Sequence, residues 1–486
     1  MKKNKIYIPF IAVLLCLAQG SFAQTNSSPN IILIIADDVS WDDIAAYGNT
    51  KIKTPNIDRL ANSGVKFENA FLVTSSCSPS RTSILTGRYP HNTGAAELHT
   101  ELGPEQVLLP AELKKAGYYT ALAGKWHEGK ETAKAYDTLL VNKKENGEGG
   151  EEQWLSLLRN SFGDKPFFLW LASYDAHRDW SADSTFDHVY QNEEVSVPPT
   201  LVDDEQTRRD LVSYYNEITR LDLYVGKIWK ELEDSGQLNN TIIIFMADNG
   251  RPFPGSKTRL TDRGIKTPLL LHWPNGIKGN QSIQALVSSI DISATILDIV
   301  NVEIPANFQG KSFASLFNSD PHTTFRNYVF AEHNWHDYEA YERSVRTKDF
   351  LYIKNIRPQF TNDGPIDANQ SPSANSLKLG QKNGSLSKLQ AEPYLSSRPK
   401  EEFYVLKDDS LQVNNQIDNP AFKDEIKNLR TVLTQWQRET GDSEPSLLTP
   451  HWYDKNTAKP LPKKGQRGEM PGKKNNANLN LNPGPF

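Results

Sequence analysis

Cys77-Ser78-Pro79-Ser80-Arg81-Thr82-Ser83-Ile84-Leu85-Thr86-Gly87 is the stretch from which the rest of the chain can be read. The 486 residues hold two cysteines, Cys16 and Cys77. Cys16 lies in an apolar segment of the kind removed on export, which leaves the mature protein one thiol and no intramolecular disulfide partner. Cys77 stands at the start of a Pro-initiated helical pattern, where the helix N-terminus and Arg81 both favour negative charge. A lone free cysteine is more often a small buried hydrophobe. Eleven residues in this order point instead to chemistry at Cys77.

Upstream of it, residues 30–36 read N-I-I-L-I-I-A and stop at Asp37-Asp38. An uninterrupted apolar run of that length predicts a central parallel strand covered on both faces. Residues 241–247 (T-I-I-I-F-M-A) repeat the pattern and stop at Asp248-Asn249-Gly250. Residues 166–173 lead into Asp175 and His177, and residues 118–124 into Lys125-Trp126-His127. Helical patterns at residues 56–63, 79–86, 109–116 and 207–234 alternate with these strands, which predicts an open α/β sheet. In such sheets ligands bind beyond the carboxyl ends of the strands, so the four polar clusters are expected to converge. Asp37, Asp38, Asp248 and Asn249 offer hard oxygen ligands suited to Ca²⁺ or Mg²⁺. Carboxylates brought together at strand ends repel one another without a cation.

After residue 323 the βαβ spacing disappears. Residues 328–332, 343–355 and 402–407 read as separated strands and residues 419–440 as an amphipathic helix, which predicts a smaller α+β subdomain. Residues 360–400, rich in Asn, Ser, Lys, Gln and Pro, read as a long surface excursion. The expected organisation is a signal peptide over residues 1–23, a catalytic domain over 24–322, the α+β subdomain over 323–450 and a disordered tail over 451–486. Lys2, Lys3 and Lys5 precede an apolar run too short to span a bilayer, and Ser21-Phe22-Ala23 fits a cleavage site. Export machinery is therefore an expected partner, cleavage near Ala23 is expected, and the product is periplasmic or secreted with no stable membrane insertion. Losing three lysines takes the net charge from −5 to −8. Such a chain is no general polyanion binder, and no nucleic-acid partner is expected.

The stretch at Cys77 resembles the motif of the type I sulfatases, C-x-P-S-R-x-x-x-L-T-G, at every fixed position. The resemblance extends over residues 29–440 and implies an alkaline-phosphatase-like fold. It implies that a formylglycine-generating maturation enzyme oxidises Cys77 to formylglycine (3-oxoalanine), whose hydrated aldehyde is the nucleophile. One diol oxygen would attack sulfur, the alcohol would leave, and loss of the other hydroxyl's proton would rebuild the aldehyde and expel sulfate. It implies one divalent cation, Ca²⁺, held by Asp37, Asp38, Asp248 and Asn249 with residue 77. Arg81 would orient the diol and the metal ligands.

Gly124-Lys125-Trp126-His127 resembles the family's G-K-W-H, making Lys125 a sulfate ligand and His127 the base for the second step. Glu128 replaces the usual Leu, a change that could alter the pocket wall. His177 matches the proton donor to the leaving group. Lys257 matches a sulfate-contacting lysine, although Arg263 stands where that motif has its first Gly. Several segments, among them residues 249–254 and 435–442, look closest to the heparan N-sulfatase (N-sulfoglucosamine sulfohydrolase) branch. His333, His336 and Arg343, in a Trp- and Tyr-rich segment, are candidate substrate-binding groups for a sugar and its second anion.

The reading is thus an exported sulfatase acting on sulfated carbohydrate, ulvan-like or glycosaminoglycan. Two alternatives stand beside it. A phosphomonoesterase or phosphodiesterase of the alkaline phosphatase superfamily would use Ser or Thr and commonly two transition metals, for which histidines are sparse here. A glycan-binding protein could also keep the shell and lose catalysis.

Overall fold

Six of the seven residues Asn30–Ala36 are buried, because a strand at the centre of a sheet with helices on both faces has no solvent side. In this computed structural model, which describes residues 28–160, 162, 163, 165–180 and 189–486, that strand is β1. The large sheet continues with β2 (Val65–Phe71), β3 (Tyr119–Gly124), β4 (Thr138–Leu140), β5 (Phe167–Ala172), β6 (Thr241–Ala247), β7 (Leu269–His272) and β8 (Gln281–Ser288). The spatial order is β4-β3-β5-β1-β6-β7-β2-β8. All pairs are parallel except those of β7, which runs antiparallel to β6 and β2. Ile31, Leu33 and Ile35 enter one apolar layer, and Ile32, Ile34 and Ala36 the other, the period-2 alternation of a strand.

Register decides where the chemistry lands. Ala36 is level with Ala247, Ile35 with Ala172, and Gly124 with Ala172. Four strands therefore end at one edge, and the residues that follow each of them emerge side by side.

A second sheet consists of β9 (Val329–His336), β10 (Tyr338–Arg346), β11 (Phe350–Asn355) and β12 (Glu401–Val405), antiparallel in the order β12-β11-β10-β9. The helix Lys423–Thr440 lies on it through Ile426, Leu429, Leu433 and Trp436, the apolar stripe of an amphipathic helix. The architecture is the one expected, a large mixed sheet between helices with a smaller antiparallel sheet plus helix.

Two expectations need correction. Residues 360–400, read as a long surface excursion, hold the helices Ile366–Asn369, Pro372–Asn383 and Lys388–Ala391 and pack partly inward. Ser373 Oγ donates to Asp210 on the long helix Glu205–Asp234 at 2.5 Å, and Leu377 is buried against the large domain. Residues 451–486, expected to be disordered for want of apolar side chains, lie along the protein on polar contacts instead. Arg88 Nη2 donates to the carbonyls of Asn478 and Asn480 at 3.1 and 2.7 Å, and Gln309 to that of Asn482 at 2.9 Å. The guanidinium of Arg467 sits over the rings of Trp335 and Trp452. The signal-peptide reading lies outside the described residues.

Candidate active site

The helix Cys77–Thr86 starts on Cys77 and is buried at all ten positions. Gly87 ends it with φ +61, a left-handed conformation that glycine adopts freely, and a Cβ there would come within 2.7 Å of Phe308. The final Gly of the motif is thus set by backbone geometry and close packing. The helix points Cys77 at the sheet edge, where its Sγ lies 3.8 Å from Asp38 Oδ1.

Around it the three strand-end carboxylates meet three cations. Arg81 Nε donates to Asp248 Oδ2 at 2.8 Å, and its Nη2 lies 3.7 Å from Asp37 Oδ1. Lys125 pairs with Asp37, and Lys257 Nζ with Asp38 Oδ2 at 2.7 Å. Asn249 donates its amide N–H to Asp38 Oδ1. Although burial opposes it, the Asp38 carboxylate holds Lys257 well above the usual lysine range, and Asp37 does the same for Lys125 to a smaller degree. Burial drives the Cys77 thiol far up despite Lys257 and Lys125. As a plain cysteine it stays protonated at neutral pH and is a poor nucleophile.

Two buried oxygens, Asp37 Oδ1 and Asn249 Oδ1, have no hydrogen-bond donor. Ligand atoms of Asp37, Cys77 and Asp248 lie within 4.8 Å of one another, as do those of Asp38, Cys77 and His177. An all-oxygen carboxylate and amide set with orphaned acceptors fits a hard divalent cation, Ca²⁺ or Mg²⁺.

His177 Nε2 lies 3.7 Å from Asp367 Oδ2 and 4.0 Å from Asp38 Oδ2. His127 is a neighbour of the cluster rather than of a carboxylate: its Nε2 is 2.8 Å from His99 Nδ1. Burial, with Lys125 beside it, pushes His127 well below its ordinary value. Glu128 is not on the pocket wall; it is fully buried, and its carboxylate accepts the His127 backbone N–H at 2.8 Å. Arg263 is accommodated in the short helix Asp262–Ile265, with its guanidinium donating to the carbonyls of Gly255 and Leu411.

The second-subdomain candidates fare differently. His336 Nδ1 is 2.9 Å from Ser76 Oγ, next to the motif, but the ring is buried. His333 is buried, and burial lowers it to about 4. Both line a small polar cavity with Arg357 and Lys455. Arg343 is misassigned as a substrate ligand. Its guanidinium is fully buried, makes two 2.8 Å bonds to Asp442, and lies 3.2 Å from Glu332. Arg343→Ala is expected to destabilise the fold by about 3–5 kcal/mol by stranding Asp442. Urea unfolding measures this; a normal unfolding curve with a raised KM would restore the substrate role.

His99 and Asp367 were missed. No motif marked His99, and Asp367 lies in the stretch whose composition read as surface excursion.

A large mixed sheet whose edge gathers a buried cysteine, three carboxylates and carboxylate-paired lysines is the architecture of an ester hydrolase. The sulfatase family model matches residues 29–302, and the model for the N-sulphoglucosamine sulphohydrolase C-terminal region matches 256–373. The chain belongs to the sulfatase family, the sulfuric ester hydrolases. It is 32% identical to human N-sulphoglucosamine sulphohydrolase over 85% of this chain and 90% of that protein. It is 27% identical to an ulvan-active sulfatase of Formosa agariphila, over 88% and 78%. The fold matches a solved structure in complex with its substrate D-glucosamine-2-N,6-O-disulfate (TM-score 0.66, 21% identity, 85% and 98% covered). It also matches the phosphonate monoester hydrolase of Agrobacterium radiobacter (0.64, 17%, 84% and 95%).

Proposed function

We propose that the protein is an exported sulfatase that removes sulfate from sulfated carbohydrate, on the strength of one observation above all. Cys77, in an intact sulfatase motif, sits among Asp37, Asp38, Asp248, Arg81, Lys125 and Lys257 at one sheet edge. The relatives' named activities on ulvan and on N-sulfoglucosamine support a sulfated glycan as substrate. They leave O- and N-sulfate open as alternatives to be separated by assay. The phosphonate hydrolase likeness is one of fold, and the sulfatase family model together with the motif favours sulfate.

Formylglycine, made from Cys77 by a maturation enzyme, would supply a hydrated aldehyde as nucleophile at sulfur. Ca²⁺, which Asp37, Asp38, Asp248, Asn249 and residue 77 would hold, would supply positive charge for the sulfuryl oxygens. The chain's own residues do the rest. Arg81 locks Asp248 in place from the buried helix. Lys125 and Lys257, each pinned to a carboxylate, hold fixed positive charge against the negative charge of the sulfate oxygens. His177 donates a proton to the departing oxygen, and His127 takes one up. Residues 24–322 form the catalytic domain, and residues 323–450 add the wall that carries Asp367. Lys2, Lys3 and Lys5 before the apolar run support export and cleavage near Ala23 into the periplasm or medium. Among the described residues no helix is long and apolar enough to cross a membrane.

Release of sulfate from a panel of heparan, chondroitin, ulvan, carrageenan and fucoidan fragments tests the reading, and a wholly inactive but matured protein would refute it. A sharper measurement concerns His177. His177→Ala is expected to lower kcat about 10²-fold or more on sugar sulfates, whose leaving alkoxides need protonation, and far less on activated aryl sulfates. Equal losses on both would remove His177 from the acid role.

A further inference from the structure

His99 is exposed, yet its backbone is held on both sides. It adopts φ +61, its N–H donates to Ser78 Oγ at 2.8 Å, and the preceding carbonyl of Leu98 accepts from Arg467. That frame brings the imidazole to His127, Nδ1 to Nε2 at 2.8 Å, with the ring planes tilted by 47°. The other nitrogen of His127, Nδ1, is buried and has no partner.

Two neutral imidazoles sharing one such contact share one hydrogen, so the contact fixes tautomers. If His99 Nδ1 donates, His127 must carry its own hydrogen on Nδ1 and has no lone pair free for chemistry. If His99 Nδ1 accepts, His127 carries its hydrogen on Nε2, and Nδ1 is free to take up a proton. Partial burial of the ring, with the cations Arg467, Lys125 and Lys257, lowers His99, and burial pushes His127 down as well. Both shifts favour the neutral rings that the contact requires.

We propose that His99 is a positioning residue that accepts the Nε2–H of His127 and so leaves the His127 lone pair on the buried Nδ1. This rests on the sulfatase reading, with His127 as base. When His127 takes a proton at Nδ1, it becomes an imidazolium whose Nε2–H still points at His99, and that bond becomes charge-assisted. The proton stays on His127, and His99 accepts a hydrogen bond without being protonated.

The test compares His99→Ala with His99→Asn, whose amide oxygen can accept where Nδ1 did. Sulfate release from an aryl sulfate and a sugar sulfate is measured with matured protein. His99→Ala is expected to lower kcat about 10²-fold with KM nearly unchanged, and His99→Asn to recover most of that loss. Asparagine no better than alanine, a loss carried by KM, or alanine at the wild-type kcat would each overturn the proposal. Nitrogen-15 spectra of histidine-labelled protein supply a readout independent of turnover. His127 Nδ1 should be the unprotonated ring nitrogen in the wild type and a tautomer mixture in His99→Ala; a protonated Nδ1 in the wild type overturns it. A wild type silent on every sulfate ester would refute the sulfatase reading, while the spectra would still report on the pair.

Discussion

Cys77→Ala is expected to lower sulfate release by about 10⁴-fold or more while leaving the fold in place. The activity term follows from the site: Cys77 Sγ lies 3.8 Å from Asp38 Oδ1 in the lysine-flanked cluster, and a methyl group cannot be converted to an aldehyde. The stability term follows from the packing. Cys77 is buried against Leu98 and Trp335 at the first position of its helix. Alanine is the best helix former and deletes one sulfur, which costs about 1 kcal/mol. Cys77→Ser should be almost as inactive, because a hydroxyl at residue 77 has no second oxygen with which to expel sulfate. Intact mass is the companion measurement. Protein from the native host should be lighter than the thiol form, by the difference between a thiol-bearing methylene and an aldehyde. An unconverted Cys77 with full activity, or a Cys77→Ala protein at the wild-type rate, would remove the nucleophile assignment.

The second large effect is at Asp248. Its carboxylate accepts from Arg81 Nε at 2.8 Å and from the Asp38 backbone N–H at 3.2 Å, with no solvent contact. Asp248→Ala would leave the fully buried Arg81 guanidinium without its 2.8 Å partner, with Asp37 3.7 Å away. A loss of about 3–5 kcal/mol is expected, because an uncompensated buried charge retains its desolvation cost. Asp248→Asn keeps the volume and separates the two roles. It should fold more stably than the alanine variant yet lose activity by about 10³-fold, since the cation-binding charge is gone. Calcium supplies a second readout. Chelation should lower the wild-type unfolding temperature and added Ca²⁺ restore it, because a ligand bound only by the native state stabilises that state. Asp248→Asn should lose that response. A variant that kept both the calcium shift and the wild-type kcat would show that Asp248 does not hold the ion.

Much of this was legible locally. The ends of β1, β3, β5 and β6 were readable because a doubly covered strand is apolar throughout, so its first polar residue marks the tip. Short or alternating strands such as β2, V-K-F-E-N-A-F, and the four-residue β7 lacked that contrast. Asp367 gave no signal at all: it reaches His177 from a segment that reads as polar loop.

Residue order alone thus determined which groups stand at the ends of strands and which cysteine sits in the motif. Those properties depend on neighbours in the chain. Tertiary structure decided which partner each charge meets and where. Arg343 and Lys257 are both basic residues in plausible motifs, yet Arg343 is spent on Asp442 and Glu332. Lys257 instead stands beside Asp38 at the sheet edge. Electrostatic pairing depends on distance through space and on exclusion of water, and neither is written in separation along the chain.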